Sequence, residues 1–532
     1  MKARSRPVET KAGTLDLYLT AVPPSWAVKL ILLVAGGLSA LGMAPLFWWP
    51  LTLIGLVLLL LYLESIRTGR SAFLYGWLFG VGHFAVGLNW IAKSFTYQAA
   101  MPAWLGWIAV VLLSLFMACY IGFASLLAWR IGHKKPVTLV VALAGSWTLF
   151  EWLRATLLTG FAWNPLSEVA LPMGIAGAAA SFGTYGLSAI VVLVAGALWL
   201  LLSRRWIAGL VLLAYPALVL VADWVTLPSS DAPPSGPKVT LVQPNVGQED
   251  KWEGNATDAN FAKLAQQTLP KNSAPRLILW TEASIPDYLE TGYPADYYRQ
   301  SPDETRRKIT ALMNPDDIIL LGALKIDFNT AGAPVGARNS IFMMDAHAQL
   351  HNRYDKSHLL PFGEYLPLRS LLTPLGLSRL APGDLDFQPG AGPATIDTGR
   401  FGKVGLIICY ELIFSGQVVD KANRPAFVFS PSNDAWFGAW GPPQHHAQAR
   451  LRAIEEGLPF VRVTPTGISS IIDADGKVVA TIPQGEAGRI DAAIPPAKAP
   501  TFFARYGNAI SVALGLILIL VGLALARRPR SG

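Results

Sequence analysis

Residues 403–414, KVGLIICYELIF, join an apolar run of strand length to a cysteine, a tyrosine and a glutamate that follow at once. A short apolar run of this kind predicts a buried β-strand. Cys409 at its end is one of only two cysteines, and the other, Cys119, lies within a strongly apolar segment. A free cysteine often serves as a small apolar side chain, so a packing role for Cys409 competes with a chemical one.

Further strand-like runs surround this stretch, and helical patterns fall between several of them. The runs are KVTLVQ, RLILW, DIILLGAL, NSIFMMD, AFVFS, FVRV and SSIIDAD, and the helical patterns include residues 260–268 and 444–456. Near-continuous apolar strands that alternate with helices predict an α/β domain whose sheets are covered by helices. We place this domain at residues 231–505, after a Pro- and Ser-rich linker.

The sequence on either side of this domain is typical of a membrane protein. Hydrophobic residues make up 52% of the chain and charged residues only 15%, which is unusual for a soluble enzyme. Eight apolar stretches are candidate spans: residues 27–45, 50–63, 72–92, 105–131, 137–157, 175–202, 207–225 and 510–526. The sequence thus predicts a membrane domain at 1–230 with about seven spans, and a final span with a basic tail at 506–532. The first apolar run is interpreted as a retained anchor and not a cleaved signal peptide.

The positive charges predict an orientation. They cluster before the first span and after the second, fourth, sixth and last, for example at Arg67, Arg130, Arg204 and Arg527. Because cytoplasmic loops carry the excess of Lys and Arg, both termini are expected in the cytoplasm and the 231–505 domain on the extracytoplasmic side. The net charge of +8 is accordingly attributed to topology, and no nucleic acid partner is expected.

Reactive side chains follow three of the apolar runs. They are Glu282 in RLILWTEASIP, Lys356 and Glu364 in HNRYDKSHLLPFGEYLP, and Cys409 with Glu411 in GLIICYE. The carboxyl ends of strands are where catalytic groups gather in α/β folds. An unpaired cysteine in an oxidising compartment, with polar partners elsewhere in the chain, is a candidate nucleophile. Glu282 could act as its base and Lys356 could stabilise the thiolate and an oxyanion, although a charge after a strand is more often a solvated loop residue.

The order WTEAS, DKSHLLPFGEYLP, GLIICYE and SNDAWFG resembles the carbon–nitrogen hydrolase (nitrilase) superfamily. Together with the spans, it resembles the membrane branch of that superfamily, the apolipoprotein N-acyltransferases. The resemblance implies an αββα sandwich with Glu282 as general base, Lys356 as stabiliser of the oxyanion and thiolate, and Cys409 as nucleophile. Residues that it implies in substrate-binding or supporting roles are Trp252, Asn339, Glu364, Tyr410 (through its backbone N–H), Glu411 and Trp436. Pro465 departs from the pattern, since similar sequences usually have a polar residue there, and this puts the hydrogen bonding of its loop in question.

The resemblance also implies a reaction in the bacterial inner membrane. An acyl chain would move from a membrane phospholipid to Cys409 as a thioester, and then to the α-amino group of the diacylglyceryl-cysteine of a lipoprotein. The expected partners are phospholipid, diacylated apolipoproteins and the bilayer, and neither a metal nor an organic cofactor is expected. The alternatives are a membrane-tethered amidase or nitrilase that uses water, and a transporter with an inert domain.

Two further groups of polar residues leave alternatives open. The adjacent His445 and His446 could be metal ligands. However, neighbouring residues of a helix point about 100° apart, and no cysteine or carboxylate lies at zinc-site spacing from these two histidines. A metal site is therefore disfavoured. Glu151 and Arg154 lie near the end of a predicted span. Charges at membrane depth are costly, and these two residues could contact a lipid head group, pair with each other, or lie at the interface.

Overall fold

The computed structural model describes residues 25–97, 101–225, 236–249, 251, 256–376, 378–380 and 385–527. Trp252, which the sequence places near the site, lies outside the described residues. In the described chain the apolar N-terminal part is helical, an α/β domain follows, and a C-terminal helix closes the chain.

The predicted spans coincide with helices. The helices of this part and of the C-terminus are α1 (Ser25–Ala40), α2 (Trp49–Ser65), α3 (Gly69–Gly87), α4 (Ile91–Ser94), α5 (Leu105–Gly132), α6 (Pro136–Thr156), α7 (Ala170–Met173), α8 (Ala179–Leu202), α9 (Trp206–Val225), and, after the α/β domain, α14 (Phe502–Tyr506) and α15 (Asn508–Arg527). Among the described residues four helical segments are long and apolar enough to cross a membrane: Leu105–Gly132, Pro136–Thr156, Ala176–Leu202 and Asn508–Arg527. A fifth is bent by 49° between Gly69–Gly87 and Ile91–Tyr97. The helices α1, α2 and α9 are apolar but shorter, so their role as full spans stays a prediction.

Small residues let the helices of the bundle approach closely. A Cβ atom on Gly36 of α1 would lie 1.9 Å from the Phe79 carbonyl oxygen of α3, and one on Gly82 of α3 would lie 1.9 Å from the Leu33 oxygen. A Cβ atom on Gly80 would likewise lie 2.9 Å from the Cα atom of Ala118 in α5. Because lipid provides no hydrophobic force between helices, close backbone packing of this kind is what holds a bundle together. The glycines of α3 therefore have a packing role.

The α/β domain contains two six-stranded sheets. The first has the order β12-β1-β2-β3-β4-β5 and the second the order β11-β10-β9-β8-β7-β6. In each sheet the central pairs (β1–β2 and β2–β3, β7–β8 and β8–β9) are parallel and the outer pairs are antiparallel. The strands are β1 (Lys238–Gln243), β2 (Leu277–Leu279), β3 (Ile318–Phe328), β4 (Pro334–Asp345), β5 (Leu350–Asp355), β6 (Ala394–Asp397), β7 (Lys403–Leu406), β8 (Phe427–Pro431), β9 (Phe460–Val463), β10 (Ser469–Ile472), β11 (Val478–Ile482) and β12 (Gly488–Ala493).

Alternating side chains build the layers of this domain. Successive residues of a strand point to opposite faces, so Leu277 and Leu279 of β2 join the core between the sheets while Ile278 joins an outer core. On β8, Phe429 joins the same central core and Val428 an outer one. The outer faces are covered by α10 (Ala256–Thr268) and α11 (Pro302–Thr310) on one side and by α13 (Gly441–Glu456) on the other, and the short α12 (Arg369–Leu372) lies in a loop. The domain is an αββα sandwich, as predicted.

The α/β domain rests on one end of the helix bundle through specific polar contacts. Gln444 of α13 accepts a hydrogen bond from the Trp163 indole at 2.9 Å and donates one to the Gly87 carbonyl at 3.1 Å. Glu455 of the same helix accepts from the backbone N–H of Thr184 at 2.6 Å. These side chains are buried, so the two parts are joined across a packed interface.

Candidate active site

Cys409 lies in a tight turn shortly after β7, the strand next to the edge strand β6 of the second sheet. The chain passes from β7 into a short 3-10 helix, Cys409–Ile413, and Cys409 itself adopts a left-handed conformation with φ of 51°. A non-glycine residue in this region is strained and persists only where its surroundings hold it, often at functional sites. The side chain is 7% exposed, so the strained turn presents the thiol inside a closed site.

Glu282 follows β2, and three groups hold it in place. The Asn339 amide donates to Glu282 Oε1 at 2.6 Å, and the backbone N–H of Asn433 donates to Oε2 at 2.5 Å. The Lys251 ammonium donates to the Glu282 carbonyl oxygen at 3.2 Å. Asn339 comes from β4 of the first sheet and Asn433 follows β8 of the second, so Glu282 lies between the two sheets.

Lys356 follows β5 and forms a buried ion pair with Glu364. The Lys356 Nζ lies 2.9 Å from Glu364, whose carboxylate also accepts from the Leu360 N–H at 2.8 Å and from the Asn339 amide at 3.3 Å. Asn339 thereby connects the carboxylates of Glu282 and Glu364. The structure thus brings the predicted residues Glu282, Asn339, Lys356 and Glu364 into one network.

The charges of this network act on the Cys409 thiol. Burial raises its pKa well above the usual value, the Glu282 charge raises it further, and the Lys356 charge opposes both. Burial lowers the pKa of Lys356, but Glu364 and Glu282 outweigh it and raise that pKa above its ordinary value. At neutral pH the Cys409 thiol is therefore protonated, and it lies near the charges of Lys356 and Glu282.

Glu411 holds the turn of Cys409 and the loop of Lys356 together. Its Oε2 accepts from the Ile408 N–H at 2.6 Å, and its Oε1 accepts from the Ser357 N–H at 2.7 Å and from the His358 N–H at 3.1 Å. The Tyr354 hydroxyl donates to both oxygens, at 2.8 and 2.9 Å. Since every partner is a donor and the group is buried, Glu411 fixes the residues next to Cys409 and next to Lys356.

Tyr410 and Trp436 lie against the helical part of the chain. The Tyr410 hydroxyl donates to the Gly160 carbonyl at 3.2 Å. The Trp436 ring packs edge-on against Tyr97 with centroids 5.6 Å apart, and the Trp436 carbonyl accepts from Ser94 at 2.9 Å. The side chains thus contact the helical part, while the use of the Tyr410 N–H for an oxyanion stays a prediction.

Lys251 is a residue of this site that the sequence reasoning missed. It is 7% exposed, and burial lowers its pKa to about 8. Glu282 and Cys409 are the groups whose charges oppose this shift, so a second amine lies close to both. The signal available in the sequence is its position directly before Trp252, in the stretch EDKW of residues 249–252.

The adjacent histidines of α13 point to different partners. His445 Nε2 lies 3.1 Å from the Cys409 carbonyl oxygen, whereas His446 Nε2 lies 3.0 Å from the Ser470 hydroxyl. Within the described ranges no three His, Cys, Asp or Glu side chains form a group that could hold a metal ion.

Glu151 and Arg154 form hydrogen bonds with backbone groups inside the helical part of the chain. Arg154 donates to the carbonyls of Phe161 and Trp163 at 2.8 and 2.7 Å, and Glu151 accepts from the Leu166 N–H at 2.9 Å. Both side chains are buried. The structure therefore favours an internal role over an interfacial position.

The loop of Pro465 is held by its neighbours. Gln243 of β1 accepts from the Ser469 N–H at 3.2 Å and from the Thr464 hydroxyl at 3.3 Å, and Ser469 accepts from the Thr464 N–H at 2.9 Å. A proline has no N–H to donate, and here the flanking residues supply the hydrogen bonds of the loop.

Comparison with known proteins agrees with this architecture. Residues 35–197 match the family model of the apolipoprotein N-acyltransferase N-terminal domain, and residues 238–501 match that of the carbon–nitrogen hydrolases. The chain is 32% identical to an apolipoprotein N-acyltransferase of Rhodopseudomonas palustris over 98% of this chain and 99% of the relative. It is 33% identical to the protein of the same name from Bradyrhizobium diazoefficiens, over 95% and 96% of the two chains. Among solved structures, Nit3 of Saccharomyces cerevisiae, a nitrilase superfamily member, aligns with a TM-score of 0.33 at 21% identity, over 48% of this chain and 90% of that one.

Proposed function

Since the chain belongs to the apolipoprotein N-acyltransferase family, we propose that it transfers an acyl chain from a membrane phospholipid to the α-amino group of a lipoprotein's N-terminal diacylglyceryl-cysteine. Cys409 is the nucleophile, Glu282 the general base and Lys356 the electrostatic stabiliser. The observation that carries this proposal is the meeting of these three side chains, from the ends of β7, β2 and β5, in one buried network at the helical part of the chain.

The first half-reaction forms a thioester. Glu282 accepts the proton of the Cys409 thiol, and the sulfur attacks the ester carbonyl of the phospholipid. The Lys356 ammonium, held by Glu364 at 2.9 Å, lies where negative charge develops on sulfur and then on the carbonyl oxygen. The ester C–O bond breaks, the leaving oxygen takes the proton from Glu282, and lysophospholipid departs.

The second half-reaction transfers the acyl chain to nitrogen. The neutral α-amino group of the diacylated lipoprotein attacks the thioester carbonyl, Glu282 takes a proton from the nitrogen, and the C–S bond breaks. An amide forms and the Cys409 thiol is restored with that proton. None of these steps requires a metal or an organic cofactor.

An aromatic cluster at the junction with the helical part favours transfer over hydrolysis. Trp90 and Trp163 lie 4.5 Å apart between ring centroids, and Phe437 packs on both at 4.8 and 5.3 Å. The cluster lies close to Cys409, because Trp163 packs on His445 with ring centroids 5.1 Å apart and His445 Nε2 lies 3.1 Å from the Cys409 carbonyl oxygen. Apolar surroundings close to a thioester limit the access of water to it. A tethered amidase, the alternative function, would instead need water at the acyl-enzyme.

The thioester is tested by incubating the purified protein with phospholipid that is radiolabelled in its acyl chain. We expect label on the protein that hydroxylamine releases, and none on Cys409→Ala. Cys119→Ala is the matched control, because Cys119 lies in α5 and its thiol faces the Leu115 carbonyl at 3.5 Å; it should label as the unmodified protein does. Label that persists on Cys409→Ala would exclude Cys409 as the nucleophile.

The acceptor is tested by adding a diacylated lipopeptide with a free amino terminus to the labelled enzyme. The label should move to the peptide in a bond that resists hydroxylamine, as an amide does. A peptide whose amino terminus is acetylated should receive none. Release of free fatty acid as the sole product would identify the chain as a hydrolase.

A further inference from the structure

A chain of buried polar side chains runs from the segment that holds Glu282 to the backbone of Cys409. Asn433, whose N–H binds Glu282, is followed by Asp434, and both oxygens of Asp434 accept from Arg462 of β9 at 2.6 Å. Arg462 also lies 2.8 Å from His445 Nδ1, and His445 Nε2 lies 3.1 Å from the Cys409 carbonyl oxygen. The side chains of Asp434, Arg462 and His445 are fully buried.

The contacts decide which nitrogen of His445 carries the proton. The Cys409 carbonyl oxygen can only accept, so His445 Nε2, 3.1 Å away, carries a proton. Nδ1 lies 2.8 Å from the Arg462 guanidinium, which has only N–H donors, and 3.3 Å from Asp434 Oδ1, and in the shorter of these two contacts Nδ1 accepts. Burial and the Arg462 charge lower the pKa of His445 below its usual value, which leaves a neutral ring with its single proton on Nε2. That proton points to the Cys409 carbonyl, and His445 is therefore the donor in this hydrogen bond.

We propose that Asp434, Arg462 and His445 are positioning residues that hold Cys409 in its strained left-handed conformation, and so keep the thiol aligned with Glu282 and Lys356. The turn is held on both sides: Glu411 binds the Ile408 N–H before Cys409, and His445 binds the carbonyl after it. Without the second contact the backbone strain at Cys409 favours relaxation of the turn, and a small displacement of the sulfur slows its attack. This role rests on the proposed function of Cys409.

The same arrangement connects the nucleophile to the helical part of the chain. Gln444, the residue before His445, binds Trp163 and the Gly87 carbonyl. The first turn of α13 thus contacts the membrane helices through one residue and Cys409 through the next. The position of the thiol is consequently set by the junction between the two parts.

The experiment compares His445→Leu, His445→Gln and His446→Leu in a Cys119→Ala background. Leucine removes the donor, glutamine can place an N–H near the position of Nε2, and His446 binds Ser470 and not Cys409. The first readout is the single-turnover rate of thioester formation per folded enzyme, measured together with the KM for phospholipid. The second is the infrared amide I band of cysteine that carries 13C and 18O at its carbonyl. Cys409 is then the single cysteine, so the labelled band reports its carbonyl alone.

We expect His445→Leu to slow thioester formation about 10- to 100-fold with KM unchanged within twofold, and to move the labelled band to higher wavenumber. His445→Gln should recover most of the rate and the band position, and His446→Leu should match the parent in both. The proposal is overturned if His445→Leu has the parental rate of thioester formation, or if its labelled band does not move. It is also overturned if the substitution only lowers the amount of folded protein and leaves the rate per folded enzyme unchanged. The band responds to the hydrogen bond whether or not the protein transfers acyl chains, so failure of this inference and failure of the proposed function are distinguishable.

Discussion

At the scale of single residues, the site consists of Cys409, the proposed nucleophile, in an unfavourable backbone conformation, and the groups that hold it there. Glu411 contacts the residues next to Cys409 and next to Lys356, and neither of its oxygens is left for a catalytic proton. Glu282 has a different environment, with two donors to its carboxylate and the neutral Cys409 thiol nearby. The different hydrogen-bond partners of the two carboxylates are the reason why we propose Glu282, and not Glu411, as the general base.

The raised pKa of Cys409 predicts the pH dependence of its alkylation. Burial and Glu282 raise this pKa above the ordinary value of 9.0, so the thiolate fraction should grow about tenfold per pH unit through neutral pH. In a Cys119→Ala background we expect the rate of alkylation by iodoacetamide to rise from pH 7 to pH 9 without a plateau. A plateau near pH 7 would show a resting thiolate and contradict the assignment.

Substitutions of two different lysines provide a test and a control for the effect of charge on this alkylation. Lys356→Gln removes the charge that lowers the pKa of Cys409 and should slow alkylation at every pH below 9. Lys403→Gln changes an exposed lysine at the start of β7 and should leave the profile unchanged. Equal effects of the two substitutions would exclude a specific action of Lys356 on the thiol.

Much of this site could be predicted from the sequence because its signals are local. Glu282, Lys356 and Cys409 each follow an apolar run, and alternation along β2 and β8 sets which side chains enter the core. The role of Glu411 was not predictable in this way, since its partners Ser357 and His358 lie 54 and 53 residues away. Contacts at such separations depend on how the two sheets pack, which no single stretch of sequence specifies.

At the scale of elements, α13 joins the two parts of the chain along its length. Its first turn binds Trp163 through Gln444 and Cys409 through His445. Three turns later, Arg452 and Glu455 form a buried ion pair at 2.8 Å, and Glu455 binds the Thr184 N–H of α8. An amphipathic pattern predicts such a helix, but a buried charge at its C-terminal end is intelligible only once its partner on α8 is known.

The pKa of Glu456, the last residue of α13, predicts that the stability of the protein depends on pH. Burial and the neighbouring Glu455 raise the pKa of Glu456 from 4.5 to about 7. The folded protein therefore binds more protons than the unfolded chain between these values, and stability falls as pH rises from about 4.5 to about 7, by on the order of 2–3 kcal/mol. Glu456→Gln should flatten this dependence and raise the thermal unfolding midpoint at pH 8 by several degrees.

The measurement is thermal unfolding in detergent, followed by tryptophan fluorescence at pH 5 and pH 8. Glu486→Gln is the matched control, because Glu486 is exposed and its substitution should leave both midpoints unchanged. A Glu456→Gln protein with the same difference between the two pH values as the parent would contradict the assignment.

At the scale of the whole molecule, the basic loops and the catalytic domain occupy opposite ends of the helix bundle. Arg205 lies 3.8 Å from Glu64, the Trp129 indole donates to the Ile66 carbonyl at 3.3 Å, and Lys135 donates to the Ala526 carbonyl. These contacts bring together the loops after α2, α5 and α8 and the end of α15. Among the described residues, α3, α8 and α15 contact the α/β domain at their opposite ends, through Gly87, Thr184 and Asn508. The charge pattern in the sequence and the packing of the helices therefore favour the same orientation.

This arrangement predicts a cytoplasmic basic end and an extracytoplasmic catalytic domain. In a Cys119→Ala background, Thr330→Cys places a thiol in the exposed hairpin between β3 and β4, and Ser203→Cys places one in the exposed loop between α8 and α9. A membrane-impermeant maleimide added to cells with a permeabilised outer membrane should label Thr330→Cys, and should label Ser203→Cys only after lysis. The parent, whose remaining Cys409 is buried, gives the background. Because a charged reagent does not cross the bilayer, labelling of Ser203→Cys in intact cells would reverse the orientation and remove the catalytic domain from the side on which we propose that it acts.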